Sequence, residues 1–360
     1  MGVGLIGAGV ISDTYLTNLT SFPDLRVLFV ADIDTARAAA QATKFDVPRA
    51  GTVTELLADP EIELVVNLTV PTAHVDVGLA ALESGKHVWA EKPLAMDRQT
   101  GRKLLDRARE RGLRVASAPD TVLGAGLQTA RRAVDAGLIG TPLSALALFQ
   151  VPGPEIWHPS PEFLYQPGAG PLLDMGPYYL TTLINVFGPI SRVTAAGTRF
   201  RDRRVIASGP KAGTEFPVDV PTNVTTLLEF ERGGSAQAVF SFDSKLVRRG
   251  QLEITGSAGT AVLPDPNKFA GSTTLYLGDE PQELAAQGHS AERGTGALEL
   301  ARAVRAGVPE RASGELAYHV LDALLAAEES ITLGHSVEVA STVEIPPALP
   351  EDWDPHTATF

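Results

Sequence analysis

The sequence predicts an α/β protein: a doubly wound parallel sheet, followed by an α/β domain with an open, mostly antiparallel sheet. The first third of the chain alternates short apolar strands with amphipathic helices, which is typical of a parallel sheet covered by helices on both faces. After about residue 140, strands follow one another through turns, for example at residues 231–234, which indicates antiparallel pairing. A chain of 360 residues is also long enough for two domains.

The predicted domains cover residues 1–120 and residues 121–344, and a proline-rich arm follows at residues 345–360. In the first domain we predict strands at residues 3–6, 26–31, 64–68, 87–90 and 114–117. The helices between these strands are predicted at residues 12–19, 35–44, 73–84 and 97–111. Gly85 and Gly112 follow the last two helices, at the position where glycine commonly ends a helix.

The second domain is predicted from a longer series of strands, at residues 143–151, 190–198, 223–230, 236–241, 251–255, 261–263 and 273–277. A helix at residues 126–136 is expected to link the two domains. Helices at residues 174–186, 295–306 and 314–333 are expected to form the other layer of the second domain.

Composition excludes several classes of partner and site. The formal net charge of −13 argues against nucleic acid and anionic membrane surfaces, because both bind basic surfaces. The chain has no cysteine, which excludes disulfides, thiolate nucleophiles and cysteine metal sites. No metal site is predicted, because the histidines lack the spacing of metal ligands. With no long apolar run and a first strand near Val3, we expect a cytoplasmic protein without a signal peptide.

The first apolar strand ends in a glycine motif, Gly7-Ala8-Gly9-Val10-Ile11-Ser12, and Asp32 follows the next strand. Gly7 allows a tight turn into a helix, and Gly9 lets the backbone approach a pyrophosphate. Asp32 stands about 20 residues on, where a carboxylate accepts hydrogen bonds from ribose hydroxyls. Ser12 stands where the motif has its third glycine, and its side chain is small enough for the helix to pack closely against the strand. The motif predicts a dinucleotide site, and an ordinary glycine turn is the alternative.

Two further motifs carry chemistry. Glu91-Lys92-Pro93 follows the strand at residues 87–90, at the carboxyl end where open α/β sheets bind ligands. A helix is expected to begin near Asp174, which places Asp174 and Tyr178 on one face, four residues apart. Pro177 then falls in the first helical turn, where its missing N–H costs little.

With these motifs the chain resembles the Gfo/Idh/MocA family of oxidoreductases, named after glucose–fructose oxidoreductase, inositol dehydrogenase and a rhizopine-catabolism protein. The resemblance covers nearly the whole chain and rests on the glycine turn, on Val70-Pro71 and His74 after the third predicted strand, on Glu91-Lys92-Pro93 and on the helix start at Asp174. It implies an N-terminal Rossmann domain and a C-terminal domain whose open sheet commonly forms a dimer or tetramer interface. It also implies hydride transfer between NAD(P) and a carbinol carbon of sugars, cyclitols and related compounds.

This sequence departs from many family members in two places. Tyr178 and Thr181 stand where many members have His and Asp, so the chain resembles the subset with a tyrosine-type active site. That subset includes glucose–fructose oxidoreductase, some keto-sugar reductases and dihydrodiol dehydrogenases. Many members also carry Asn-x-Arg after the fifth strand, where this chain has Pro119-Asp120-Thr121. The second departure puts the usual substrate contacts in question.

The expected mechanism uses Tyr178 as general acid/base. A phenol acts near neutral pH only if its pKa is lowered from about 10, and a lysine ammonium within reach does this. We therefore assign Lys92 to lowering the pKa of Tyr178 and binding the reacting oxygen, while Asp174 orients Lys92 or a substrate hydroxyl. The alternatives are a packing tyrosine, a surface lysine and a helix N-cap, respectively.

Asp32 also bears on the choice of cofactor, because a carboxylate near the ribose 2′ position repels an added phosphate. NAD is therefore expected rather than NADP, with Arg37 as a solvated charge on the following helix. The residues assigned to the cofactor are Gly7, Gly9, Val10, Ile11, Asp32, Ile33, Thr69, Pro71, His74, Glu91 and Lys92.

Substrate contacts are expected from two further segments. Trp157 lies in a loop rich in proline and glycine, where it would stack on a sugar ring or anchor the loop, and His158 would bind a hydroxyl. Asp120 is assigned by position alone. The full predicted substrate set is Lys92, Asp120, Trp157, His158, Asp174 and Tyr178.

The sequence therefore predicts an NAD-dependent dehydrogenase of a sugar, glycoside or cyclitol that forms a homodimer or homotetramer. Three alternatives stay open: a keto-sugar reductase, a glycosidase that uses NAD transiently, and a non-catalytic NAD-binding sensor. The pair of Lys92 and Tyr178 argues against the sensor, because a sensor has no use for an acid/base group.

Overall fold

The computed structural model describes residues 1–360 and divides the chain into two compact units. Unit 1 comprises Met1–Gln128, Gln287–Leu321 and Ile345–Phe360, and unit 2 comprises Thr129–Ala286 and Asp322–Glu344. The predicted boundaries at residues 120 and 344 leave the segment Gln287–Leu321 in the second domain. That segment belongs to unit 1 because its helix, Thr295–Ala306, packs on the sheet of unit 1. The residues in contact are far apart in the chain, so a local sequence pattern does not reveal the contact.

Unit 1 is built on a six-stranded parallel sheet with the order β3-β2-β1-β4-β5-β6. Its strands are β1 Gly2–Ile6, β2 Arg26–Ala31, β3 Arg49–Gly51, β4 Leu64–Asn67, β5 His87–Ala90 and β6 Val115–Ser117. The helices between them are α1 Ser12–Leu19, α2 Thr35–Lys44, α3 Val53–Ala58, α4 His74–Glu83 and α5 Arg98–Glu110. Because the crossovers are helical, the carboxyl ends of all six strands meet at one edge, which confirms the predicted doubly wound sheet.

Local chemistry explains where several of these helices begin. Asp34 accepts hydrogen bonds from the backbone at the start of α2, and Asp97 does the same for α5. Thr52 and Glu55 form a capping box at the start of α3. The prediction missed α3 and the three-residue β3, because each is too short for a hydrophobic period to be visible.

Two apolar cores cover the two faces of this sheet, since alternate strand residues point to opposite faces. On one face, Val3 and Leu5 pack with Leu16 of α1 and with Leu298. On the other face, Ile6 and Val65 pack with residues of α4 and α5, among them Leu82 and Leu104. Leu298 belongs to α8 Thr295–Ala306, so the late segment of the chain supplies part of the first core.

The C-terminal arm packs on unit 1. Arg302 of α8 donates hydrogen bonds to the carbonyls of Asp354 and Thr357, at 2.9 and 2.6 Å, and lies over the ring of Trp353. The buried carboxylate of Asp24 accepts hydrogen bonds from the backbone and the hydroxyl of Thr359. The arm has no helix or strand of its own, as its prolines predict, and side-chain bonds hold it in place.

Unit 2 is built on a nine-stranded sheet with the order β16-β15-β14-β13-β7-β12-β11-β8-β17. Its strands are β7 Pro142–Gln150, β8 Ile190–Thr198, β11 Asn223–Phe230, β12 Ser235–Ser241, β13 Arg248–Gly256, β14 Thr260–Leu263, β15 Thr273–Tyr276, β16 Gln282–Leu284 and β17 Val337–Glu338. A separate pair joins β9 Arg203–Val205 and β10 Glu215–Pro217. Only β7 and β12 pair in parallel, which confirms the expected mostly antiparallel sheet.

Helix α7 Gly170–Phe187 covers one face of this sheet, while α6 Ala125–Asp135 and α9 Gly314–Leu333 cross the unit boundaries along the chain. The predicted start of α7 at Asp174 is wrong, since Ala169 is the N-cap and Pro171 lies in the first turn. Pro177 consequently lies inside the helix and cannot donate to the carbonyl of the residue four positions before it. None of the helices combines the length and the apolar composition that a bilayer crossing requires.

Phe240 lies at the centre of unit 2, and we predict that Phe240→Ala destabilises the protein. The side chain of Phe240 is 0% exposed, and its ring packs edge-on against Tyr179 of α7 at 5.5 Å. Its removal leaves a cavity, so the free energy of unfolding should fall by about 3–5 kcal/mol in urea denaturation. Phe200→Ala is the matched control: this phenylalanine is 78% exposed, and its loss should cost less than about 0.5 kcal/mol. Equal unfolding midpoints for the two variants would contradict the packing described here.

Candidate active site

The turn after β1 leaves open space in front of α1. Gly7 has a φ of +103°, and a Cβ atom there would lie 2.7 Å from the backbone carbon and oxygen of Leu68. Apart from Gly9 itself and its two chain neighbours, no residue has an atom within 4 Å of the position that a Cβ would take on Gly9. Ser12 is buried, and its Oγ donates a hydrogen bond to the Gly9 carbonyl at 2.6 Å. The result is a cradle free of side chains at a helix start, which fits a pyrophosphate.

Asp32 follows β2, and its carboxylate accepts hydrogen bonds from two sides. Backbone N–H groups of Ala8 and Asp34 donate at 2.7 and 2.9 Å, and Nη2 of Arg37 lies 2.6 Å from Oδ1. Burial raises the pKa of Asp32, but the bonds from Arg37 and the backbone outweigh it, so the pKa lies below its usual value. Arg37 is half exposed and pairs with Asp32, so it is more than the solvated charge expected from its position.

Three aliphatic side chains are exposed at the same edge of unit 1. Val10 and Ile33 are each 96% exposed, and Val70 is 64% exposed. They follow β1, β2 and β4, which are neighbours in the sheet. Single exposed aliphatic residues are common, but three β-branched residues follow adjacent strands here, and each offers apolar surface to a ligand at this edge.

Asn67 organises the loop after β4. Its Oδ1 accepts hydrogen bonds from the N–H and the hydroxyl of Thr69 at 3.2 and 2.7 Å, and its Nδ2 donates to the carbonyl of His74 at 3.0 Å. The buried ring of His74 has Nε2 2.9 Å from the Thr69 carbonyl and Nδ1 2.7 Å from the carbonyl of Pro93. His74 thus joins the loop after β4, with its short 3₁₀ helix Pro71–Ala73, to the loop after β5.

Glu91 and Lys92 come directly after β5. The Glu91 carboxylate is largely buried, and its Oε1 accepts a hydrogen bond from the hydroxyl of Tyr15 at 2.8 Å. Its Oε2 accepts from the backbone N–H of Lys92 at 3.1 Å. The indole of Trp89 donates to the Tyr15 hydroxyl at 3.2 Å. These bonds anchor the end of β5 to α1 and hold the backbone of Lys92.

Asp120 lies beyond β6, and its carboxylate is wholly buried. Its Oδ2 accepts hydrogen bonds from the N–H groups of Gly294 and Gly296, at 2.8 and 3.2 Å, at the start of α8. Burial raises the pKa of Asp120 to about 6, against the opposing effect of Arg293, whose Nη1 lies 3.8 Å from Oδ1. The carboxylate therefore faces the interior of unit 1, and its placement does not support the predicted contact with substrate.

Asp174 and Tyr178 both lie on α7 of unit 2, one helical turn apart, so they share a face as the spacing predicts. Tyr178 is 5% exposed, and its backbone carbonyl accepts a hydrogen bond from the hydroxyl of Thr182 at 2.9 Å. Asp174 is partly exposed and lies four residues inside the helix. The interpretation of Asp174 as a helix N-cap is therefore wrong.

Trp157 and His158 lie in the loop between β7 and α7. The ring of His158 packs edge-on against Trp157 at 5.4 Å and against Phe163 at 5.5 Å. Its Nδ1 lies 3.0 Å from the backbone N–H of Ser160, which assigns the acceptor role to Nδ1 and leaves Nε2 as the donor in the neutral ring. Trp157 is 59% exposed and Phe163 is 53% exposed. The loop between β7 and α7, residues 151–169, therefore presents aromatic side chains to solvent, and we call it the aromatic loop.

A buried charged cluster holds this loop. Arg204 forms ion pairs with Glu155 and with Asp243, and the hydroxyl of Tyr165 donates to Glu155. The guanidinium of Arg204 also lies 5.1 Å from the centre of the Tyr165 ring. Because Glu155 stands two residues before Trp157, the cluster fixes the base of the aromatic loop.

Unit 1 brings the predicted cofactor residues to the carboxyl edge of its sheet, and unit 2 carries Asp174, Tyr178 and the aromatic loop. Four residues of these polar clusters were not predicted from the sequence: Tyr15, Asn67, Arg204 and Arg293. The sequence carries a signal for Asn67, because this polar residue is the last but one of the strand predicted at residues 64–68, at the edge where ligands bind. The two arginines carried no local signal, since their carboxylate partners are distant in the chain.

Two family models match the chain. The model described as the oxidoreductase family with an NAD-binding Rossmann fold matches residues 1–118, and the model of the GFO/IDH/MocA C-terminal domain matches residues 127–262. The two models together cover most of the chain and meet near the change from the parallel to the antiparallel sheet.

Three curated relatives are similar along most of their length. Trans-1,2-dihydrobenzene-1,2-diol dehydrogenase of Bos taurus is 28% identical, over 73% of this chain and 74% of the relative. 1,5-Anhydro-D-fructose reductase of Ensifer adhaerens is 27% identical, over 78% and 81%. Inositol 2-dehydrogenase 3 of Saccharopolyspora erythraea is 26% identical, over 81% and 82%.

Among solved structures, a levoglucosan dehydrogenase in complex with NADH has the same fold. The TM-score is 0.82 at 20% sequence identity, and the match covers 95% of this chain and 99% of the other. The fold, both family models and the curated relatives agree. The chain is an oxidoreductase of the GFO/IDH/MocA family with an NAD-binding Rossmann domain.

Proposed function

We propose that this oxidoreductase transfers a hydride between NAD and a carbinol carbon of a sugar, glycoside or cyclitol. The observation that carries the proposal is the edge of unit 1, where the Gly7 turn, the Asp32 carboxylate and the Lys92 loop follow strands of one parallel sheet. Open α/β sheets bind ligands at this edge. The relatives supply the substrate class, because their names give a diol, an inositol and an anhydro sugar.

The residues at this edge fit a dinucleotide. The space beside Gly9 accepts a pyrophosphate at the start of α1, together with the backbone of Val10 and Ile11. Asp32 offers its carboxylate to a ribose, and the exposed side chain of Ile33 offers an apolar face to the adenine. We assign the nicotinamide side to the loops after β4 and β5, through Thr69, Pro71, His74, Glu91 and Lys92.

We propose NAD rather than NADP as the cofactor. Asp32 is ionised, and a carboxylate at this position repels a 2′-phosphate. Arg37 offsets part of that repulsion, because its guanidinium bonds to both oxygens of Asp32. The ribose hydroxyls must therefore share the carboxylate with Arg37, and the balance between these two side chains sets the preference.

The acid/base chemistry is assigned to Tyr178, Lys92 and Asp174. Oη of Tyr178 takes the proton from the substrate hydroxyl as the carbonyl forms, and returns it in the reverse reaction. The Lys92 ammonium stabilises the phenolate of Tyr178 and donates a hydrogen bond to the reacting oxygen. Asp174, one turn before Tyr178, orients Lys92 or a neighbouring substrate hydroxyl. When bound, the nicotinamide supplies the hydride acceptor or donor.

The aromatic loop of unit 2 is proposed to bind the substrate ring. Trp157 is exposed enough to stack on the apolar face of a sugar, and the Nε2–H of His158 is available to a hydroxyl. The cluster around Arg204 keeps this loop in one conformation and so reduces the entropy lost on binding. Asp120 is left out of the contact set because its carboxylate is wholly buried.

The opposite direction, reduction of a keto sugar, is the second candidate. It is favoured by the relative from Ensifer adhaerens, whose name is 1,5-anhydro-D-fructose reductase. The same residues serve both directions, since Tyr178 donates the proton to the forming hydroxyl during reduction. Rates measured with NAD and a polyol, and with NADH and a keto sugar, distinguish the two.

We also propose a homodimer or homotetramer formed through the open face of the nine-stranded sheet. Alternate residues of β7, β11 and β12 point away from α7, and they include Leu146, Leu148, Leu227 and Val239. Leu148 pairs with Val239 in register, so an apolar surface continues across adjacent strands. Sedimentation equilibrium measures the mass of the assembly.

The cytoplasmic location expected from the sequence stays a prediction.

Tyr178→Phe should lower turnover by at least tenfold to about a hundredfold, because the variant cannot take the hydroxyl proton. The dissociation constant for NADH should stay within about twofold, since the cofactor residues lie in unit 1. Turnover is followed by absorbance of reduced cofactor, with inositol, levoglucosan and related polyols at alkaline pH.

Tyr179→Phe is the matched control for that variant. The hydroxyl of Tyr179 donates to the Leu148 carbonyl at 3.2 Å and accepts from the Gly250 N–H at 2.9 Å, so it joins α7 to the sheet. Its loss should cost about 1 kcal/mol of stability and leave turnover unchanged. Unchanged turnover in Tyr178→Phe would reject the acid/base assignment.

The cofactor proposal predicts opposite effects of two neighbouring substitutions. Wild-type kcat/KM should be at least about tenfold higher with NAD than with NADP. Asp32→Ala should reduce this ratio, because it removes the charge that repels the 2′-phosphate. Arg37→Ala should increase the ratio, because it removes the cation that offsets that charge. A wild-type preference for NADP, or an unchanged ratio in Asp32→Ala, would refute the role given to Asp32.

A further inference from the structure

The carboxyl edge of unit 1 contains a buried group of polar and charged side chains that takes no part in the proposed acid/base chemistry. Glu91 follows β5, Asp120 follows β6, Tyr15 lies on α1, and Arg293 precedes α8. The side chains of Glu91, Asp120 and Arg293 are 10%, 0% and 16% exposed. Four separate parts of the chain therefore meet next to Lys92, which directly follows Glu91 in the chain.

Arg293 lies between the two carboxylates. Its Nη1 is 3.8 Å from Oε1 of Glu91 and 3.8 Å from Oδ1 of Asp120. Two carboxylates in a buried site repel each other, and without a cation one of them takes up a proton. The guanidinium lies within reach of both carboxylates and offsets this repulsion.

Both oxygens of the Glu91 carboxylate accept hydrogen bonds, and one of these bonds holds the backbone of Lys92. One oxygen accepts the Tyr15 hydroxyl at 2.8 Å, and the other accepts the backbone N–H of Lys92 at 3.1 Å. Hydrogen bonds to a charged acceptor are stronger than those to a neutral one. Displacement of the Glu91 carboxylate would weaken the bond that fixes the main chain of Lys92.

The backbone of Arg293 and of the residue after it is held by two side chains, those of Asn18 and Asp120. The backbone carbonyl of Arg293 accepts a hydrogen bond from Nδ2 of Asn18 at 2.9 Å. The next residue, Gly294, has a φ of +105°, and its N–H donates to Asp120 Oδ2 at 2.8 Å. Asp120 thus fixes the turn that brings the guanidinium to Glu91, which explains a fully buried carboxylate at this edge.

We propose that Arg293 is a positioning residue for Lys92, acting through Glu91, and that Asp120 holds Arg293 in place. This inference rests on the proposed function, because it takes Lys92 as the residue that binds the reacting oxygen. Arg293 needs no contact with substrate or cofactor in this role. Its effect on the reaction is to keep the Lys92 backbone in one position.

The test compares Arg293→Gln with wild type in two measurements. Hydrogen–deuterium exchange of the peptide that contains the Lys92 amide should become at least about threefold faster, because the acceptor Glu91 loses the cation that holds it. With NAD and inositol or levoglucosan, kcat should fall at least about tenfold while the dissociation constant for NADH changes less than threefold.

The pH profile adds a readout that a purely structural role would not move. Loss of the cation makes Asp120 easier to protonate, so the acidic limb of kcat/KM should move to higher pH in Arg293→Gln. Burial already raises the pKa of Asp120 to about 6, which places this limb in an accessible range. Arg293→Lys, which retains the charge, should restore most of the wild-type profile.

Arg302→Gln is the matched control, since Arg302 is 10% exposed and pairs with the buried Asp24 at 2.8 Å, elsewhere in unit 1. Arg302→Gln should lower the melting temperature and leave unchanged both kcat and the hydrogen exchange of the peptide that contains the Lys92 amide. If Arg293→Gln does not fold, Tyr15→Phe tests the same link by removing one donor to Glu91 and no charge. It should also speed Lys92 exchange.

The positioning role would be overturned if a folded Arg293→Gln variant showed wild-type hydrogen exchange at Lys92 and wild-type kcat. If Arg293→Gln does not fold, the same result in Tyr15→Phe would overturn it. Lys92→Met is measured in parallel to separate the two proposals. Full turnover in Lys92→Met would refute the proposed function itself. Loss of turnover in Lys92→Met beside a fully active Arg293→Gln would refute only the inference about Arg293.

Discussion

The absence of a Cβ at Gly7 is the constraint on which the carboxyl edge of unit 1 depends. The backbone of Gly7 leaves no room for a side chain against Leu68, and its N–H donates to the carbonyl of Ala31 at 2.8 Å. One residue therefore ties together the ends of β1, β4 and β2. A side chain there would separate β1 from β4 and displace the loop that Asn67 and His74 hold. The open space beside Gly9 and the loops held by Asn67 and His74 occur together because the ends of β1, β2 and β4 lie this close to each other.

Each unit also places an arginine between two carboxylates beside a proposed functional segment. In unit 1, Arg293 lies between Glu91 and Asp120, next to Lys92. In unit 2, Arg204 lies between Glu155 and Asp243, at the base of the loop with Trp157. Buried ion pairs contribute little net stability, because desolvation offsets their attraction. Their value here is positional, since each arginine is held between two carboxylates that come from distant parts of the chain.

Most elements of the fold followed from local patterns. Helices α1, α2, α8 and α9 and strands β2, β5, β8 and β11 have the predicted bounds, because each is long enough for its hydrophobic period or its cap to appear in the sequence. The exceptions have physical causes. Strands β3, β9, β10 and β16 have three residues and β17 has two, and tertiary pairing alone defines them. The predicted start of α7 at Asp174 is wrong because the helix begins at Gly170, so Pro177, expected in the first turn, lies in the helix interior.

The sequence by itself determined the chemistry available: the glycine motif, the carboxylate after β2, the Glu91-Lys92-Pro93 motif and the spacing of Asp174 and Tyr178. These are local features, and the periodicity of a strand or helix places them without knowledge of the rest of the chain. Only the tertiary structure decided which charges meet. Arg37 pairs with Asp32, Arg293 joins Glu91 to Asp120, and the late helix α8 belongs to unit 1. The last two depend on approach between residues far apart in the chain, and a local pattern carries no information about such distances.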